Sequence, residues 1–157
     1  FTTLRNFVLS SWALLMWQRL AKSSDEQLSA IAGKAVKEAR YHREHAADWV
    51  VRLGDGTDES TRRMARALER LWPYCAELFD ADETDREAAA QGLGPAWSAL
   101  EEAWRADVSA VLQEAGMTLP AESAFRSDGK RGRHSEHMGR LLAEMQYLHR
   151  AFPGGVW

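Results

Sequence analysis

The sequence predicts an all-α protein built from antiparallel helices of bundle length. Three observations carry that prediction. Apolar residues recur at spacings of three and four along nearly the whole chain, the period of a helix face. No stretch alternates with the period of two that marks a strand. Clusters of Gly, Pro and Asp punctuate the chain at helix-length intervals.

The first helix is predicted over about residues 2 to 22. It is apolar nearly all round (Leu4, Phe7, Val8, Leu9, Trp12, Leu14, Leu15, Met16), and a helix with no polar face belongs inside a bundle. The second opens at a capping box, Ser24 with Gln27, and ends at Gly54. Its inward stripe is read as Leu28, Ile31, Ala35, Ala39, His42, Ala46, Trp49 or Val50, and Leu53. After the turn Asp55-Gly56-Thr57, a third helix places Met64, Leu68, Leu71, Trp72, Cys75, Leu78 and Phe79 on one face, with a kink or restart at Pro73. Thr84 with Glu87 is read as a second capping box, opening a short Ala-rich helix. Asp80, Asp82 and Glu83 before it are spaced unlike a calcium loop and read as a solvated, helix-ending turn. Gly92-Leu93-Gly94-Pro95 breaks the chain, Pro95 starts a helix through Trp97, Leu100, Trp104, Val108, Val111 and Leu112, and Gly116 stops it. Residues 117–133 form one long loop. A last helix presents Met138, Leu141, Leu142, Met145, Leu148 and Phe152 before Pro153.

At 157 residues the chain is one domain, 1–157, with enough length for a real core. A net charge of −3 gives no electrostatic case for nucleic acid or an anionic membrane surface. The longest apolar run, Phe7 to Trp17, is shorter than the roughly 20 residues of a membrane span. One cysteine, Cys75, excludes an internal disulfide framework and fits a reducing cytoplasm; on its apolar stripe it reads as a small buried hydrophobe. The chain opens Phe1-Thr2-Thr3 and enters helix at once, and is read as the later part of a longer protein.

Two clusters bear on chemistry. Glu38 and His42 lie one turn apart on the second helix, and a carboxylate with an imidazole from one helix is a donor set that suits iron. The di-iron bundle pattern, however, is Glu-x-x-His. Here Tyr41 holds the third place and His42 comes one late, a rotation of about 100° around the helix. The alternative is a hydrogen-bonded core network of Glu38, His42 and Tyr41. The first helix offers no carboxylate between Phe1 and Ala21; its polar core candidates are Asn6, Ser10, Ser11 and Gln18. The second cluster is His134 and His137, which at spacing three could share a face and hold zinc if a third ligand arrived, or could simply belong to a polar helix start. No P-loop, nucleophile elbow or cysteine pair is present.

The chain carries seven tryptophans. Trp72, Trp97 and Trp104 fit an internal core. For Trp12, Trp17 and Trp49 two readings stand, internal core and burial against a partner, because large aromatics concentrate at the centres of interfaces.

Several blocks, in order, carry a resemblance: Ala35-Val36-Lys37-Glu38-Ala39-Arg40-Tyr41-His42, Leu53-Gly54-Asp55-Gly56-Thr57-Asp58, Ala76-Glu77-Leu78-Phe79-Asp80-Ala81-Asp82-Glu83, Gly129-Lys130-Arg131-Gly132-Arg133-His134-Ser135-Glu136-His137-Met138-Gly139, and Leu142-Ala143-Glu144-Met145-Gln146-Tyr147-Leu148. Over nearly its whole length the chain resembles the structural-subunit family of bacterial phenylacetyl-CoA 1,2-epoxidases (phenylacetate-CoA oxygenases), without that family's N-terminal part. The resemblance implies a ferritin-like bundle and a cytoplasmic place in a multicomponent monooxygenase of aerobic phenylacetate breakdown. It implies a homologous catalytic subunit that holds the di-iron centre and epoxidises the ring of the CoA thioester, with further small and reductase subunits. This chain is then a non-catalytic scaffold that binds no cofactor of its own, with Glu38 and His42 as vestigial metal candidates. Ser10 stands where an active relative carries a carboxylate, and Tyr41 where the second half of Glu-x-x-His falls. Interface candidates are Trp12, Trp17, Trp49, Lys130, Arg131, Arg133, His134 and His137. Two alternatives remain beside this reading: a di-iron oxygenase in its own right, and a helical adaptor or self-associating homodimer.

Overall fold

The computed structural model describes residues 1–156 and is all-α, in keeping with the ferritin-like bundle that the resemblance implies; Trp157 lies outside the described residues. Two compact units divide the chain, Phe1–Arg126 and Ser127–Trp157.

The first unit is organised by α1 (Thr2–Leu20) and α2 (Glu26–Gly54). The Arg43 guanidinium lies 5.7 Å from the centre of the Phe7 ring, near the start of α1, while Ser29 Oγ donates to Ala21 O at its end (2.7 Å), so the two helices run antiparallel. Phe7 and Leu4 are fully buried, Val8 and Ser11 nearly so. The N-cap of α2 is Asp25 rather than Ser24: its carboxylate accepts from Leu28 N at 2.7 Å. Ser24 is held elsewhere, its amide donating to Gly92 O and its hydroxyl to Gln91 O.

A reciprocal Thr57–Ser60 capping box opens α3 (Asp58–Leu71). The chain tightens into a 3-10 turn at Trp72–Phe79, where Pro73 cannot donate to the α ladder. The short α4 (Glu83–Ala90) is capped by Asp82 with Asp85, two residues before the expected Thr84–Glu87 box, so the acidic turn starts this helix. A left-handed Gly92 closes it, with Leu93 N donating to Ala88 O and Gly92 N to Ala89 O. Pro95 does not begin the next helix; a 3-10 turn at Trp97–Leu100 leads into α5 (Glu101–Glu114). The same closure recurs at left-handed Gly116, where Met117 N donates to Leu112 O at 2.7 Å and Gly116 N to Gln113 O.

Alongside α1, Trp104 Nε1 donates to Val8 O (3.0 Å) and Trp97 packs on Trp12, which makes α5 antiparallel to α1. Trp104 is buried, stacked on Trp72 with ring centres 5.7 Å apart and met edge-on by Phe79 at 5.2 Å. Among the described residues, every buried one lies between Leu4 and Met117.

The second unit holds a tight turn, with Arg131 N and Arg133 N both donating to Asp128 O, and two short helices, α6 (His137–Met145) and α7 (Tyr147–Ala151). The single last helix expected from the sequence is broken at Gln146, where φ is −94° and ψ −3°. Of its large apolar side chains, Leu141, Leu142, Met145, Leu148 and Phe152 are exposed and Met138 is partly buried. No helix among the described residues is long and apolar enough to cross a membrane.

Candidate functional site

The 29 residues of α2 bury Ala32, Ala39, Ala46, Ala47, Val50 and Gly54, and between Ala39 and Ala46 the residue on that face is Arg43. Its side chain is 21% exposed and forms a two-pronged ion pair with Asp107 of α5: Nε donates to Oδ2 at 3.1 Å and Nη2 to Oδ1. The guanidinium covers the Phe7 ring from α1, so this one residue ties three helices together.

His42, placed inward by the sequence, is exposed, and so are Glu38 and Tyr41. The correction follows from helical phase: with Arg43 turned inward, the preceding side chain is carried about 100° away. The expected core network of Glu38, His42 and Tyr41 therefore gives way to a solvent-facing aromatic ladder. Tyr41 meets His42 edge-on at 5.7 Å and stacks on His45 at 6.0 Å. On α1, Ser10 is partly exposed, whereas Ser11 is buried and its hydroxyl has no hydrogen-bond partner among the described residues. Among the described residues no group of three or more His, Cys, Asp or Glu side chains is arranged to hold a metal ion.

The three tryptophans left open by the sequence fall differently. Trp12 belongs to the first unit's interior: Nε1 donates to Leu78 O at 2.8 Å, and its ring meets Trp97 at 5.3 Å. Trp17 is partly buried. Trp49 is 43% exposed, with the Arg52 guanidinium 5.5 Å from its ring centre, so an aromatic and a cation are displayed together on the outer side of α2. Lys130, Arg131, Arg133, His134 and His137 are all exposed in the second unit. His134 precedes α6, whose first residue is His137, so the pair does not share a helical face as spacing three had implied.

Cys75 is buried, and desolvation pushes its thiol from an ordinary 9.0 up to about 12, against a smaller lowering by Arg105. It is a packing residue in chemistry as well as in position. Sequence reasoning missed the Arg43–Asp107 pair. The available signal was spacing: of the charged residues between Ala39 and Ala46 (Arg40, Arg43 and Glu44), Arg43 stands four places after Ala39 and three before Ala46, on their helical face.

The model of the phenylacetic acid catabolic protein family matches residues 1–157. The C subunit of the 1,2-phenylacetyl-CoA epoxidase of Escherichia coli (strain K12) is 46% identical over 156 residues, covering 99% of this chain and 63% of that protein. The chain thus spans a little under two thirds of the length of the curated relative it matches.

Proposed function

The chain belongs to the phenylacetic acid catabolic protein family, and from that premise we propose that it is the non-catalytic structural subunit of a multicomponent di-iron monooxygenase that epoxidises the ring of phenylacetyl-CoA. Its role is to scaffold a homologous catalytic subunit, with further small and reductase subunits completing a cytoplasmic assembly. The relative's name supports the enzyme system.

One observation carries the non-catalytic role: the inward position of α2 between Ala39 and Ala46 is held by a guanidinium, Arg43, paired with Asp107. A fixed positive charge repels a metal cation, and Asp107, the carboxylate that faces it, is already engaged in two hydrogen bonds. Glu38 and His42, the donors that resemble half of a di-iron site, stand on the solvent side, and no third ligand joins them among the described residues. The residues present do not fit a di-iron centre, and no chemical step is assigned to them. The exposed Trp49–Arg52 pair and the Tyr41 ladder have the composition of an interface centre and are assigned to the partner subunit.

The test is co-expression of the full-length protein with its catalytic partner, followed by size-exclusion chromatography with light scattering and iron analysis. Co-elution with iron matching the partner's copy number supports the scaffold. The complex carrying Glu38→Ala and His42→Ala should retain its iron, and in the isolated chain each substitution should change folding stability by about 0.5 kcal/mol or less, as for exposed positions. Iron that tracks this chain, or that is lost in the double variant while assembly persists, overturns the scaffold reading in favour of an oxygenase in its own right. Separate elution, with this chain self-associated, points to the homodimeric adaptor.

A further inference from the structure

We draw no further inference here: the strongest candidate, the row of exposed apolar side chains that Leu141, Leu142, Met145, Leu148 and Phe152 form along α6 and α7, is an unpartnered face, and nothing in the structure shows what covers it.

Discussion

Cys75 and Ser11 are both small, buried and polar-tipped, and they predict opposite behaviour on substitution. The Cys75 thiol is raised by burial to about 12, so the folded protein keeps its proton at alkalinities where the unfolded chain releases it. The contribution to stability is fully present below the ordinary value of 9.0 and is lost as pH rises from there toward 12, with a slope of at most about 1.4 kcal/mol per pH unit. Melting curves at pH 7 and pH 10 should therefore converge in Cys75→Ala relative to the parent. A thiol reagent at pH 8 should label the native protein only as fast as it opens; prompt stoichiometric labelling would contradict the burial. Ser11, by contrast, buries a hydroxyl with no partner among the described residues, an arrangement that costs about 1–3 kcal/mol when the lost water bonds are not replaced. Ser11→Ala removes that cost along with one small atom, and should leave the melting temperature unchanged or raised. A drop equivalent to more than about 1 kcal/mol would mean that the hydroxyl is satisfied.

At the scale of elements, Gly54 fixes how closely α2 approaches the end of α5. A Cβ built there would lie 2.7 Å from Ala115 Cβ and closer still to Ala115 O, and neither atom belongs to a flexible side chain that could swing aside. Gly54→Ala must therefore separate the two helix ends, at a cost of about 1–3 kcal/mol typical of overpacking, although alanine is the better helix former. Chemical denaturation reads this directly, and an unchanged midpoint would mean the two ends are free to part. How much of this architecture was legible in the sequence follows from side-chain size. The helix identities, the break at Pro73 and the closures at Gly92 and Gly116 were readable because proline and left-handed glycine act locally. The phase of α2 was legible only in part: Ala39, Ala46 and Val50 of the expected stripe are buried, but Ile31 and His42 are exposed, because a seam rich in alanines (Ala32, Ala39, Ala46, Ala47) marks its own centre weakly. Between Ala39 and Ala46 the inward place is decided by Arg43 meeting Phe7 and Asp107, the latter 64 positions away, and that choice of Arg43 over its neighbour turns His42 outward. The N-caps slipped by one or two residues for a similar reason. Ser24, Asp25, Asp82 and Thr84 all have suitable side chains, and tertiary contacts such as that of Ser24 with Gly92 decide which one serves.

For the whole molecule, the distribution of burial predicts where cooperative folding resides. The buried residues run from Leu4 to Met117, and they include the Trp72–Trp104–Phe79 cluster and the apolar seam of α1. The second unit contributes helices of nine and five residues, with no buried apolar side chain among its described residues. Isolated helices shorter than about 12–15 residues are marginal in water, since nucleation is costly and little packing offsets it. Residues 1–126 alone should thus retain a single cooperative thermal transition, whereas residues 127–157 alone should have little helix by circular dichroism. Removing the latter also removes the exposed Leu141, Met145, Leu148 and Phe152, so the 1–126 fragment should associate less than the full chain in light scattering. A broad, non-cooperative melt for residues 1–126 would mean that the core between Leu4 and Met117 does not sustain the fold by itself. Undiminished association of that fragment would instead move the sticky surface onto α2, to the side that carries Ile31, Tyr41 and Trp49.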